Sequence, residues 1–330
     1  MNLTTSYLGL KLAHPLMAGA SPLVDDMGMV KRLEDAGASA IIMHSLFEEQ
    51  ITREEQSTIM AMEVSANANA EALSYFPNAD EYRLGPDSYL EQIRRIKAAV
   101  SVPVIASLNG TTPAGWLHYG KLMQEAGADA LELNVYYLAT DPKETAAAVE
   151  KRTIDMVRSV KAQVSIPVAV KLSPFFSSLT NFAAELEGAG ADGLVLFNRF
   201  FQPDINVEEL LAEATLQLSS PQDLLLRLRW LAVLHGHIKG SLAVTGGVHD
   251  GTGALKAVMA GADAVQMVSA LLIHGPERLA TTRAELADWL EEHDYESLAQ
   301  AKGSMSLLKC PNPQAFTRAN YMRILNGWKA

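Results

Sequence analysis

Ala126-Gly127-Ala128-Asp129-Ala130, running into Leu131-Glu132-Leu133-Asn134-Val135, reads as the end of a helix, a glycine turn and a buried strand. The glycine supplies the left-handed residue that closes a helix, and the short aliphatic run after it suits a strand covered on both faces. The phrase returns three times: Ala36-Gly37-Ala38-Ser39-Ala40 before IIMHS, Ala189-Gly190-Ala191-Asp192-Gly193 before LVLFN, and Ala260-Gly261-Ala262-Asp263-Ala264 before VQMVS. A second phrase fills the gaps. Ser101-Val102-Pro103-VIASL and Ser165-Ile166-Pro167-VAVKL stand 64 residues apart, each with proline at the strand entrance, where no ladder donor is lost. With HPLMAGA at 14–20 and SLAVTGG at 241–247, eight strands are expected.

Amphipathic stretches at 87–99, 115–126, 143–163, 178–188, 221–235 and 251–260 alternate with these strands. The pattern predicts an α/β fold, a (β/α)8 TIM barrel. An open doubly wound sheet would alternate too, but no Gly-x-Gly-x-x-Gly follows the first strand. Two connections are long, 45–86 after the second strand and 199–220 after the sixth, as functional lids or small added structures often are. The expected organisation is a barrel over 1–309 and a C-terminal extension over 310–330, packed on the barrel or on a partner subunit.

The composition agrees with a folded enzyme. Of 330 residues 48% are hydrophobic and 20% charged, too apolar for a disordered chain. The formal net charge of −11 argues against a general nucleic-acid binder or a protein held on anionic lipid. Cys310 is the one cysteine, so an internal disulfide, a cysteine-ligated iron–sulfur cluster and a zinc site built on cysteine pairs are excluded. Residues 1–30 lack the pattern of a signal peptide and no apolar run approaches 18 residues, so a cytoplasmic protein without a membrane span is expected.

In such a barrel the chemistry lies at the carboxyl ends of the strands. Those ends carry Ala20 and Ser21, His44 and Ser45, Ser107 to Asn109, Asn134, Lys171, Asn198 and Arg199, Thr245-Gly246-Gly247, and Gln266, Met267, Val268 and Ser269. The glycine pair and the small residues after the eighth strand offer backbone N–H groups to a phosphate. Lys171 closes the buried run IPVAVKL, where an ammonium calls for an anion or an electron-rich ring. It suits contact with the pyrimidine edge of a flavin, Schiff-base formation as in barrel aldolases, or a side chain that snorkels to the rim. Asn134 and Asn198 need polar partners inside the mouth. Arg199 fits a carboxylate in bidentate fashion, or a loop surface. The acidic run Glu48-Glu49 with Glu54-Glu55 reads as a solvated helix face, and His235-Gly236-His237 falls at the opposite end of the barrel.

The order HPLMAGAS, AIIMHS, ALELNVYY, IPVAVKLSPFF, GLVLFNRF, AVTGGV and DAVQMVSALLIHGP resembles the dihydroorotate dehydrogenase family over roughly residues 3–309, most nearly its soluble class 1 members. The resemblance implies a flavoprotein, usually oligomeric, holding FMN at the barrel mouth. Ala20 and Ser21 would lie against the flavin, with His44, Ser45, Ser107 and Asn134 around its polar edge and Lys171 at its N1/O2 side. Gly246, Gly247, Val268 and Ser269 would take the phosphate, and Gln266 and Met267 would also contact the cofactor. Asn134 and Asn198 match asparagines that bind the substrate ring.

The departures from the family are as informative. Tyr137 stands at or near the position of the Cys or Ser base, and an unperturbed phenol is better suited to donate a proton than to remove one. His44 replaces a lysine, and 63–86 lacks the usual asparagine-rich loop, supplying Asn67, Asn69, Tyr75 and Tyr82 instead. The expected activity is FMN-dependent hydride transfer to or from a small cyclic or carboxylated substrate, with Lys171, Tyr137 and His44 as catalytic residues. A flavin-binding regulatory or partner protein and a lyase using Lys171 are the alternatives. A separate electron-transfer partner and a homodimer or higher oligomer are carried over from the family.

Overall fold

The computed structural model describes residues 1–51, 85–110, 117–199, 203–214, 216–317 and 320–327. In chain order the strands are β1 (Thr5–Tyr7), β2 (Leu10–Leu12), β3 (Leu16–Ala18), β4 (Ile41–Phe47), β5 (Val104–Asn109), β6 (Ala130–Asn134), β7 (Val168–Leu172), β8 (Gly193–Leu196), β9 (Pro203–Asn206), β10 (Leu211–Ala214), β11 (Ser241–Thr245) and β12 (Ala264–Met267). Eight of them close a parallel barrel in the order β11-β12-β3-β4-β5-β6-β7-β8. All eight coincide with the stretches expected from sequence, β4 running two residues and β5 one residue past them. The helices Pro86–Ala99, Leu117–Glu125, Ala146–Lys161, Leu179–Gly188, Leu224–Leu234 and Gly251–Ala260 stand between them within a few residues of the expected bounds.

The repeated phrase has a structural cause beyond its glycine, whose φ is +90° at Gly37, +102° at Gly127, +106° at Gly190 and +128° at Gly261. Its aspartate reaches sideways to the entrance of the preceding barrel strand. Asp129 Oδ2 accepts from the Val104 N–H at 2.7 Å, Asp192 Oδ2 from Val168 at 2.8 Å and Asp263 Oδ2 from Leu242 at 2.8 Å. A lysine completes each set: Lys97, Lys161 and Lys302. In the first copy Ser39 replaces the aspartate and donates to the Leu16 carbonyl at 2.6 Å. The aspartate bonds satisfy backbone donors where a strand starts, and the serine bond satisfies a strand carbonyl instead.

Two antiparallel hairpins were not foreseen. β1 pairs with β2 beneath the barrel, and Tyr7, Leu8 and Leu12 pack with Met17, Ile42, Ile105, Ala130, Ala169, Val195, Ala243 and Ala264 in one buried cluster. The barrel floor is therefore lined by small and aliphatic side chains and stoppered by the hairpin. The second hairpin, β9 with β10, lies in the long connection after β8. The helix Arg278–Glu292 packs on Gly251–Ala260, and within the extension Cys310 is buried and Phe316 packs against the main core. Of the expected lid residues, Asn67, Asn69, Tyr75 and Tyr82 lie outside the described residues, as do Glu54 and Glu55.

Candidate active site

Strand side chains alternate in and out with period two, so two residues above the apolar floor comes the next inward layer. Above Ala130 stands Glu132, above Ala169 Lys171 and above Ala264 Gln266. All three are buried, at 1%, 7% and 1% exposure. They form one network: Lys171 Nζ donates to Glu132 Oε1 at 3.2 Å, and Gln266 Nε2 donates to Glu132 Oε2 at 2.5 Å across the barrel. The glutamate thus answers both the charge of Lys171 and the amide of Gln266, which lets a lysine stand inside a barrel without snorkelling.

Beside and above this network runs a relay of hydroxyls and amides that joins β4, β5 and β6 to the segment after β8. Ser107 and Ser45 share a hydrogen bond of 2.8 Å, Asn134 Nδ2 donates to Ser45 Oγ at 3.1 Å, and Asn198 Nδ2 donates to Asn134 Oδ1 at 2.6 Å. The rim around them encloses a cavity of about 480 Å³, bounded by Ala20, Ser21, His44, Ser45, Asn134, Lys171, Asn198, Arg199, Gly246, Val268 and Ser269 among others. Ser107, Gln266 and Met267 lie beneath this surface, fully or almost fully buried. His44 Nδ1 lies 2.9 Å from Asp25 Oδ1, and its ring stands edge-on to Tyr89 with centroids 5.4 Å apart. The Tyr89 hydroxyl donates to the His44 carbonyl and accepts from the Ser107 N–H, fixing the β4 and β5 ends together.

On the β11 and β12 side, Gly246 and Gly247 both take positive φ, +82° and +86°. A Cβ on Gly247 would stand 2.4 Å from the Leu224 nitrogen, so only glycine fits. The Gly247 N–H donates to Ser219 Oγ at 3.1 Å, and Ser219 donates from its N–H and hydroxyl to Ser269 Oγ at 2.9 and 2.8 Å. His249 Nε2 lies 2.7 Å from the Ser219 carbonyl. Arg227 is 6% exposed and hydrogen-bonds three backbone carbonyls at this end of the cavity. Arg199 Nη1 is buried at the cavity wall without an acceptor among the described residues.

Tyr137 is not brought to this cavity. Its hydroxyl donates to Glu144 Oε2 at 2.5 Å and the Arg152 guanidinium lies over its ring, 4.5 Å from the centroid. The Tyr137 hydroxyl, followed by Arg152, holds the half-buried Glu144 carboxyl below its usual range. Glu132, Asp25, Tyr89, Ser219 and Arg227 belong to the site and were missed from sequence. Glu132 had a readable signal, a lone acid in the apolar strand ALELN. Arg227 had none that set it apart from Arg229 in the same leucine-rich helix, LLLRLRWLAVL.

The donor set fits a flavin mononucleotide. It offers a cation and amides on one side, a turn of two positive-φ glycines that admits no side chain on the other, and the unmet buried donor of Arg199 in the cavity wall. The volume lies within the roughly 300–1,000 Å³ of ligand sites. Among the described residues no group of three or more His, Cys, Asp or Glu could hold a metal ion, and no helix is long and apolar enough to cross a membrane.

Comparison with known proteins agrees with this geometry. A profile of the dihydroorotate dehydrogenase family matches residues 2–290. A "Dihydroorotate dehydrogenase B (NAD(+)), catalytic subunit" of Thermoplasma acidophilum is 28% identical, the match covering 92% of this chain and 98% of that protein. A protein of the same name from Geobacter sp. is 31% identical over 68% of this chain and 75% of its own length. A "Putative dihydroorotate dehydrogenase A (fumarate)" of Aeropyrum pernix is 28% identical over 62% of this chain and 67% of its own length.

Proposed function

The chain belongs to the dihydroorotate dehydrogenase family, and on that premise we propose that it is an FMN-dependent oxidoreductase acting on a small, cyclic or carboxylated substrate such as a dihydropyrimidine. The observation that carries this reading is the layered mouth of the barrel, where Lys171 on its Glu132 anchor, the Asn198–Asn134–Ser45 relay backed by Ser107, and Gly246 of the glycine turn face one cavity. Bound FMN would supply hydride exchange at its N5. Lys171 would offer positive charge to the pyrimidine edge of the ring, with Ala20, Ser21 and Ser45 against it. Gly246, Gly247, Val268 and Ser269 would hold the phosphate.

Asn134 and Asn198 orient the substrate ring, and Arg199, whose buried Nη1 lacks an acceptor among the described residues, takes an anionic substituent. Proton transfer falls to His44, which lines the cavity and faces Asp25 through Nδ1, rather than to Tyr137, whose hydroxyl is committed to Glu144. The names of the relatives, catalytic subunits with NAD(+) and an enzyme with fumarate, support a search for a separate electron-transfer partner and for these two acceptors. A homodimer or higher oligomer in the cytoplasm completes the reading.

The test is direct. Protein purified under native conditions carries FMN, and anaerobic photoreduced enzyme is reoxidised by one of a panel of fumarate, NAD(+), quinones and orotate. Well-folded protein that retains no FMN after reconstitution and gel filtration refutes the reading. Borohydride trapping of a carbonyl substrate on Lys171 in colourless protein supports the lyase instead.

A further inference from the structure

We propose that Arg227 is the residue by which this chain selects a phosphorylated flavin over the unphosphorylated nucleoside, its buried guanidinium supplying the positive charge beside the Gly246-Gly247 turn. The inference rests on the flavin reading above and deepens it.

Arg227 sits in the first turn of the helix Leu224–Leu234, 6% exposed at the cavity wall. Its Nε donates to the Thr245 carbonyl at 2.5 Å, Nη1 to Asp223 O at 2.6 Å and Nη2 to Phe197 O at 3.4 Å. A guanidinium has five N–H groups, so two remain after these three. The carbonyls aim the fork but carry no net charge. Among the described residues no carboxylate lies within ion-pair distance of Arg227, and the nearby Asp223 carboxylate is committed to the Ser220 N–H and hydroxyl at 2.7 and 3.0 Å. A second guanidinium, Arg199, lies close enough to add repulsion. Burial pushes Arg227 below the usual guanidinium range; the pull of Asp223 opposes it, and the smaller push of Arg199 adds to it.

A buried cation whose direct partners are all neutral carbonyls, with its nearest carboxylate beyond ion-pair distance, is expensive unless an anion completes it. The fold indicates where that anion sits. A Cβ on Gly246 would stand 3.0 Å from Arg227 Nη2 and 3.3 Å from Cζ, so glycine is what keeps the guanidinium open toward the turn. The backbone amides and serine hydroxyls of this corner would satisfy any polar ligand. The fixed charge is what discriminates a phosphate from a hydroxyl.

The experiment is titration of flavin-free, full-length protein with FMN and with riboflavin, read by quenching of flavin fluorescence. Wild type binds FMN more tightly than riboflavin. Arg227→Gln lowers that preference by about 30-fold, as expected for a charge-assisted hydrogen bond, while leaving the riboflavin Kd within about threefold. Arg227→Lys recovers part of the preference. A structural role alone would weaken both ligands by the same factor, and that result, or an unchanged preference, overturns the inference while leaving the flavin reading intact. Should Arg227→Gln fail to fold, wild type decides: the FMN Kd rises with added salt much more steeply than the riboflavin Kd, and equal slopes overturn the proposal. Failure of wild type to bind either flavin overturns both readings together.

Discussion

Replacing Glu132 with glutamine removes one charge from the polar layer at almost constant shape. Glu132 is 1% exposed and accepts from two donors, Lys171 Nζ at 3.2 Å and Gln266 Nε2 at 2.5 Å. A glutamine has one acceptor oxygen, so one donor keeps its partner and the other meets an NH₂ group. Breaking a buried pair costs about 3–5 kcal/mol, and the surviving acceptor places this variant near the lower bound, about 3 kcal/mol. For a chain of 330 residues that lowers Tm by roughly 4–5 °C. The assay is equilibrium urea unfolding of flavin-free protein, since a bound ligand would add its own stabilisation. Glu132→Leu and Lys171→Met complete a double-mutant cycle. Each single change strands a buried partner, whereas the double variant replaces the pair by apolar groups, giving a coupling energy of about 2–3 kcal/mol. A Glu132→Gln cost below about 1 kcal/mol, or single effects that add in the double variant, would refute the claim that Glu132 neutralises Lys171 inside the barrel.

His14 is buried, and burial first, then the Arg283 guanidinium, lower its pKa from 6.5 to about 4. The unfolded chain therefore binds the proton first, and stability is full above about pH 6.5 and declines toward pH 4 by roughly 3 kcal/mol; urea midpoints at pH 7.5 and 5 should differ more for wild type than for His14→Asn. Gly247→Ala brings a Cβ to 2.4 Å from the Leu224 nitrogen at a φ of +86°, and a loss above about 3 kcal/mol, seen as a collapse in soluble yield and Tm, is expected. His44→Ala slows reoxidation of photoreduced enzyme by its organic acceptor about 10²–10⁴-fold, while Tyr137→Phe changes it less than about threefold; the reverse ranking returns the proton-transfer role to Tyr137.

The barrel was legible because its signals are local. A glycine turn, a proline entrance and a buried run each declare themselves within ten residues, and the Ala-Gly-Ala phrase repeats them. The aspartate of that phrase was visible, but its job was not, since Asp129 works on Val104 and Asp192 on Val168 through barrel closure. The same holds at the site. Lys171, Asn134, Asn198 and the glycine pair could be named from their strand ends. The His44–Asp25 approach and the capture of Tyr137 by Glu144 depend on how loops cross the rim. The hairpins β1–β2 and β9–β10 escaped notice because three- and four-residue strands carry too little alternation to stand out.

The stopper formed by Tyr7, Leu8 and Leu12 against the barrel floor has a kinetic corollary. Among the described residues a vessel corked at its base opens at its rim, and under the flavin reading a small-molecule oxidant and the reductant must use that opening by turns. Initial-rate plots for the two reactants should then be parallel lines, the signature of a catalyst that empties itself between visitors.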